Sequence, residues 1–167
     1  RKLFYRDAGE TSFHDASNWL PAPPFTEGIF LPSQDACVYI PTNQGLLRVR
    51  GGEREVLDRS RGLPGKWTRA GMVDREGNLW VLGPALYRML GRGFVRAHTT
   101  EEGLPSEMVC FTYQDRLGRL WAGTNDGLAI RGPRGWSRIP GTENLTISSL
   151  AMDARGWLWI AAWLSPI

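Results

Sequence analysis

A single seven-residue pattern recurs three times in this chain of 167 residues. The pattern Asp-x-x-Gly-x-Leu-Trp occupies residues 74–80, 115–121 and 153–159. Its tryptophans are 41 and then 38 residues apart, and a further step of 41 back from Trp80 reaches Tyr39, in a degenerate copy. A period near 40 that combines β-favouring residues with turn residues is typical of folds built from repeated blades. We therefore predict an all-β fold in which each period is one structural unit.

The best-developed unit begins at Gly103 and predicts four short strands, at 108–113, 119–124, 128–131 and 136–139. Gly118 permits a tight turn after the first strand, and Asn125-Asp126-Gly127 is a strong hairpin signal. Leu120 and Ala122 are predicted on one side of the second strand, with Trp121 on the other. Four antiparallel strands in about forty residues are a propeller blade.

The whole chain, 1–167, is accordingly predicted to be a partial β-propeller, an incomplete arc of four-stranded antiparallel blades. A seven-bladed ring needs roughly 290 residues at this period, so we expect unpaired edges and exposed blade faces that promote association. The predicted parts are the end of a preceding blade (1–18), a degenerate blade (19–61), two blades (62–102 and 103–143) and a truncated blade (144–167). The stretch from Glu10 to Gln34 is predicted to be an irregular entry to the degenerate blade.

The repeated residues are interpreted as structural. Each Trp is predicted to pack against the neighbouring blade, because one sheet cannot bury both of its faces alone. Each Asp is predicted to accept backbone N–H groups in its turn, rather than to act as a catalytic acid or a calcium ligand. The residues interpreted in this way are Asp74, Gly77, Trp80, Asp115, Gly118, Trp121, Asp153, Gly156 and Trp159. A stacking platform for a ligand fits better at Trp19, Trp67 or Trp163, although packing is favoured there too.

No catalytic, cofactor-binding or metal-binding residue is predicted. His14 and His98 stand alone, with no Cys or His at metal-ligand spacing, and no phosphate loop, nucleophile elbow or Ser-His-Asp set is present. Cys37 and Cys110 are predicted to be buried thiols rather than a disulfide, because a whole blade would separate them.

The charge of +3 comes from 18 arginines and two lysines against 17 acidic residues. The arginines are scattered singly, which predicts solvated surface charge and no nucleic-acid partner. Examples are Arg48, Arg50, Arg69, Arg88, Arg116 and Arg138. No apolar run is long enough to span a membrane. The chain begins at Arg1 without Met and is interpreted as a fragment, so missing targeting signals carry little weight.

Residues 99–131 resemble the two-component regulator propeller repeat. The resemblance rests on Thr-x-x-Gly-Leu-Pro-Ser within 99–106, then Asp-x-x-Gly-x-Leu-Trp-x-Gly-Thr-x-x-Gly-Leu over 115–128. It is partial over 62–96, where Pro84-Ala85 replaces Thr-x-x-Gly, and over 145–160, and it is faint before residue 37.

The resemblance implies a propeller that is commonly seven-bladed and that forms the ligand-sensing region of a bacterial membrane-bound receptor, on the periplasmic side. In that family a β-sandwich, a transmembrane helix and an output module follow, often a histidine kinase and sometimes a diguanylate cyclase. The implied partners are a small-molecule or carbohydrate ligand, the remaining blades and output module of the same parent chain, and a second copy in a receptor homodimer. The repeat assigns no ligand-binding residue and no cofactor, and this chain is expected not to be an enzyme.

Two alternatives stay open at this stage. A streptogramin-lyase-like propeller shares the Asp-x-x-Gly-x-Trp character but needs a His-centred acid–base site near the propeller axis. A propeller that serves as an interaction scaffold needs no site chemistry at all.

Overall fold

The computed structural model describes residues 2–21, 31–32, 36–63, 68–90 and 94–164. Its regular structure is almost entirely antiparallel β-sheet, with short 3-10 turns at Ser17–Trp19, Arg59–Arg61 and Thr100–Glu102. The chain divides into two units, 1–70 and 71–167. No helix among the described residues is long and apolar enough to cross a bilayer.

The first unit contains a two-stranded and a four-stranded sheet. Its strands are β1 (Phe4–Tyr5), β2 (His14–Asp15), β3 (Leu31–Pro32), β4 (Cys37–Thr42), β5 (Gly45–Arg50) and β6 (Glu53–Leu57). Strand β1 pairs with β2, and the larger sheet has the order β3-β4-β5-β6. The expected irregular entry therefore contains β2 and β3, and Pro23 and Pro24 lie outside the described residues. Leu3, Ala16, Ile40 and Leu47 form the core of this unit.

The second unit contains two four-stranded sheets and one two-stranded sheet. Its strands are β7 (Arg69–Val73, beginning just before the boundary), β8 (Leu79–Leu82), β9 (Leu86–Leu90), β10 (Phe94–His98), β11 (Val109–Gln114), β12 (Leu120–Thr124), β13 (Gly127–Gly132), β14 (Gly135–Arg138), β15 (Leu145–Met152) and β16 (Leu158–Leu164). The sheets are β7–β10, β11–β14 and β15–β16, each with neighbouring strands adjacent in sequence. The predicted fold class, all-β with four-stranded antiparallel propeller blades, is confirmed.

The two faces of the β11–β14 sheet pack against different partners. Ala122 and Ala129 join the core around Trp80, whereas Trp121 and Leu128 pack with Ile147 and with Leu150 on β15. Alternation along β12 produces this division, because successive side chains point to opposite faces. The predicted separation of Ala122 from Trp121 is therefore confirmed.

The β11–β14 sheet approaches β15 closely at Gly123. A Cβ at this position would meet Ile147 Cγ2 at 2.8 Å, closer than two non-bonded carbons sit. A side chain there would push the two sheets apart, so Gly123 in the string Trp121-Ala122-Gly123-Thr124 is required for packing.

Two expectations about burial are wrong. Trp159 is 61% exposed instead of packed, because alternation along β16 puts it on the face opposite to Leu158, and it is Leu158 that packs with Leu150 and Trp121. Cys37 is buried as expected, but Cys110 is only half-buried. Cys110 sits at an irregularity between Val109 and Phe111 in β11, where a bulge takes its side chain out of the strand alternation.

Candidate functional site

In all three repeats the Asp side chain joins the turn to the tryptophan. The Gly118 N–H donates to the Asp115 carbonyl at 2.9 Å, and Gly118 takes φ of +80°, which a side chain disfavours. Asp115 Oδ1 accepts the backbone N–H groups of Leu117 and Arg119 at 2.9 and 3.0 Å. Its Oδ2 accepts the indole N–H of Trp121 at 3.0 Å. The same indole-to-carboxylate bond measures 2.8 Å between Trp80 and Asp74 and 3.3 Å between Trp159 and Asp153.

In the second and third repeats these bonds favour the ionised form of the carboxylate. Burial would raise the pKa of Asp115, but the N–H groups of Trp121 and Arg119 outweigh it and hold the pKa below its ordinary value. The balance is the same at Asp153, whose lowered pKa comes from the Trp157 backbone N–H and the Trp159 indole N–H set against desolvation. The carboxylates are engaged with their own turns, which disfavours a role in proton transfer.

Trp80 is the centre of an aromatic and cationic group that we call the Trp80 cluster, formed by Trp80, Arg88, His98, Arg131 and Trp136. His98 stacks on Trp80 with ring centroids 5.3 Å apart, and Trp136 meets Trp80 edge-on at 6.1 Å. The guanidinium carbons of Arg131 and Arg88 lie 5.1 and 5.5 Å from the Trp80 ring centroid. These distances allow cation–π attraction from both arginines.

His98 is buried and neutral in this cluster. It is 2% exposed, and burial together with the nearby charge of Arg131 lowers its pKa to about 4. Among the described residues, neither His98 Nε2 nor Trp136 Nε1 has a hydrogen-bond partner, although both atoms are buried. The cluster therefore contains unused hydrogen-bonding capacity, which native proteins ordinarily satisfy with protein, water or ligand.

A cleft of about 270 Å³ adjoins the cluster, which we call the Arg88–Arg131 cleft. Its lining includes Asp74, Glu76, Arg88, Arg119, Leu120 and Arg131, from the β7–β10 and β11–β14 sheets. Both Arg88 and Arg131 are half-buried. Arg88 Nε and Arg131 Nη1 are buried atoms with no hydrogen-bond partner among the described residues. Desolvation and the neighbouring charges of Arg88 and Arg96 lower the pKa of Arg131.

Arginine side chains also join successive Asp turns in the second unit. Arg75 Nη1 donates to the Arg116 carbonyl at 3.0 Å, and Arg116 Nη2 donates to the Ala154 carbonyl at 2.7 Å. Residues 75, 116 and 154 each follow the Asp of their repeat, so the contact recurs at one repeat position. The third repeat has Ala at that position and does not offer a guanidinium.

Replacing Arg116 with methionine is expected to lower the free energy of unfolding by about 1 kcal/mol, because one charge-assisted bond between turns is lost while the side-chain stem stays. Urea denaturation measures the change. Arg155→Met is the matched control, since Arg155 is an exposed arginine in the third turn, and it should stay within about 0.5 kcal/mol of the unchanged chain. Equal losses in the two variants would contradict a specific turn-to-turn contact.

The remaining sequence candidates lie apart from this site. Trp19 stacks on Tyr5 at 5.0 Å in the first unit, Trp163 is exposed, and Trp67 lies outside the described residues. His14 Nε2 is 2.5 Å from Glu10 Oε2, and these two groups lie near Asp7 on the surface. Three exposed groups of this kind form ordinary surface ion pairs, so we assign no metal to them.

Sequence reasoning missed the arginines of the cleft, because a single Arg in a strand is typical of a solvated face. A comparison of the repeats could have identified Arg88 as unusual. Arg88 is paired across its sheet with Trp80, and the equivalent partner of Trp121 is Ile130. A charged residue where the next repeat places a core-packing Ile indicates a special environment.

The comparison with protein families confirms the predicted resemblance over part of the chain. Residues 103–126 match the two-component regulator propeller family, and they include the Asp115 turn and Trp121. No curated protein sequence matches the chain.

Several solved structures share the fold. The extracellular domains of two proteins described as hybrid two-component systems from B. thetaiotaomicron superpose with TM-scores of 0.69 and 0.66, at 19% and 20% identity. They cover 84% and 79% of this chain, which spans 20% of the length of each. Virginiamycin B lyase from Staphylococcus aureus superposes with a TM-score of 0.65 at 16% identity, over 89% of this chain and 52% of the lyase. At these identities the likeness concerns the fold.

Proposed function

We propose that this chain is part of the ligand-sensing propeller of a bacterial transmembrane signalling receptor of the two-component type. The observation that carries the proposal is the family match at 103–126, in a chain whose blades resemble extracellular domains of hybrid two-component systems. The proposed location is the periplasmic or extracellular side of the membrane. The ligand would be a small molecule or carbohydrate, and the chain itself would catalyse no reaction.

The mechanism proposed is a change in receptor populations. A ligand that binds one receptor state more tightly shifts the equilibrium toward that state, by no more than the difference in its two binding free energies. The proposed partners are the other blades and the output module of the parent chain, which would be a histidine kinase or a diguanylate cyclase, and a second receptor copy. The turn-to-turn hydrogen bonds of Arg75 and Arg116 connect successive sheets, and such connections would help a domain of this kind to transmit a shift.

A propeller lyase is the second candidate, because virginiamycin B lyase shares the fold and a histidine-to-alanine variant of that lyase is catalytically inactive. The histidines here do not favour it. His98 is 2% exposed with its pKa lowered to about 4, so it is shielded from a substrate by Trp80 and Trp136. His14 is exposed beside Glu10, in a two-stranded sheet.

The test has two parts, the reading frame of the parent gene and the location of the chain in the cell. We expect a membrane-spanning helix and a kinase or cyclase module to be encoded after the codon for Ile167. A β-lactamase reporter fused after that residue should be active outside the cytoplasm. A parent protein without a membrane segment, or a reporter active only in the cytoplasm, would overturn the proposal.

A further inference from the structure

The Arg88–Arg131 cleft contains two guanidinium groups whose hydrogen-bonding capacity is incompletely used. Among the described residues, neither Arg88 nor Arg131 makes an ion pair, and each has a buried N–H without a hydrogen-bond partner. A buried donor without an acceptor costs its full desolvation penalty, and a charged donor costs more than a neutral one. Something with acceptor atoms and negative charge would stabilise this arrangement.

The acidic groups at the cleft are engaged elsewhere or stand apart. Asp74 accepts bonds from Asn78 and from the Trp80 indole through its two carboxylate oxygens. Glu76 is exposed and makes no ion pair with either arginine among the described residues. Arg119, the third arginine of the lining, is bound to Asp115 at 2.6 Å. Asp74 attracts the Arg131 guanidinium through its charge, but among the described residues neither Arg88 nor Arg131 has a direct carboxylate partner.

In the first unit an arginine at the corresponding sheet position has a carboxylate partner, which the arginine of the second unit lacks. There Arg48 stands opposite Tyr39 in the sheet, as Arg88 stands opposite Trp80. On its other side Arg48 faces Glu55 in the neighbouring strand, and their side chains lie 3.4 Å apart. Arg88 instead faces Arg96, so an arginine occupies the place of the carboxylate. Like charges directly opposite each other destabilise a sheet.

We propose that the Arg88–Arg131 cleft is an oxyanion subsite that binds the carboxylate, sulfate or phosphate group of a small-molecule ligand. Planar guanidinium groups bind such oxygens through paired N–H donors. Leu120, the apolar side chain of the lining, would contact the carbon skeleton of the ligand. A volume of about 270 Å³ suits the charged group and about one sugar-sized body. The idea that this ligand is a signal rests on the proposed function. Oxyanion binding does not depend on that idea and is tested separately.

The experiment titrates the 167-residue chain with sodium sulfate, sodium phosphate and sodium acetate at low millimolar concentration. Sodium chloride of equal ionic strength is the reference, and calorimetry and thermal unfolding are the readouts. At least one oxyanion should bind saturably and raise the unfolding midpoint beyond chloride, as binding to the native state requires. A response to acetate alone would identify a carboxylate site, and a response to sulfate or phosphate a tetrahedral-anion site.

Substitution assigns the binding to the cleft. Arg131→Met and Arg88→Met keep the side-chain stems and should weaken binding by about tenfold or more, because each removes a charged donor. Arg134→Met is the matched control, an exposed arginine in the turn after β13, and it should bind as the unchanged chain does. If a methionine variant fails to fold, Arg131→Lys keeps the charge without the paired donors and should show intermediate affinity.

No saturable binding, or equal binding by the cleft variants and Arg134→Met, would overturn the subsite. These results leave the proposed function standing, since that proposal depends on the location and output module of the parent receptor. Conversely, a cytoplasmic parent that binds oxyanions through Arg88 and Arg131 would retain the subsite and refute the sensor.

Discussion

Replacing Trp80 with alanine is expected to lower the free energy of unfolding by about 3–5 kcal/mol. Trp80 is 1% exposed and donates its indole N–H to Asp74, which is itself 1% exposed. The substitution removes a large ring from the core shared with Leu104, Ala122 and Trp136, and it leaves a buried carboxylate oxygen short of one donor. Denaturant unfolding monitored by far-UV circular dichroism measures the loss.

Trp159→Ala is the matched control, because Trp159 occupies the same repeat position and makes the same bond to Asp153, yet is 61% exposed. With little apolar area to uncover, the control should cost less than about 1 kcal/mol. Similar losses for Trp80 and Trp159 would show that the energy resides in the Asp–Trp turn and not in packing between sheets. The two variants thus separate local from tertiary stabilisation at one repeat position.

The sequence contains enough to predict the blades but not the cleft. An Asp, a Gly and a Trp at constant spacing indicate a tight turn followed by a strand, because few residue types other than Gly adopt the positive φ that such a turn requires. Asp115 and Trp121 are only six residues apart in sequence. Their indole–carboxylate bond nevertheless depends on β12 folding back along β11, which brings the two groups to 3.0 Å. Local rules describe the turn, and the bond depends on strand pairing.

Arg88 and Arg131 illustrate what local reasoning cannot supply. They lie in different repeats and reach the same ring because Arg88 follows the face of Trp80, while Arg131 lies on the face of β13 opposite to Ile130. Whether the two arginines reach the Trp80 ring together depends on which faces of the two sheets pack against each other. Considered one residue at a time, the two arginines are isolated charges. Packing of the two sheets brings them together in one cationic site.

The pH dependence of stability should report His98. A histidine whose pKa falls to about 4 in the folded chain has a pKa near 6.5 when unfolded, so the unfolded chain binds a proton first as the pH drops. The stabilisation is therefore fully present above about pH 6.5 and is lost as the pH falls toward about 4. Between about pH 7.5 and about pH 5 this one group should remove roughly 2 kcal/mol of stability.

His98→Phe keeps a ring stacked on Trp80 and removes the titrating group, so the loss between those two pH values should shrink by about 2 kcal/mol. His14→Gln is the control, because His14 lies on the surface beside Glu10, and the loss should remain nearly unchanged. The charges that oppose protonation of His98 come from Arg131 on β13, Arg96 on β10 and Arg88 on β9, while Glu102 favours it. An unchanged pH dependence in His98→Phe would mean that His98 takes up its proton in the folded chain as readily as in the unfolded one. The aromatic group of Trp80, His98 and Trp136 would then have to admit a charge, and the His98 ring would have to be less closely covered by Trp136 of the β11–β14 sheet than their 6.0 Å centroid distance indicates.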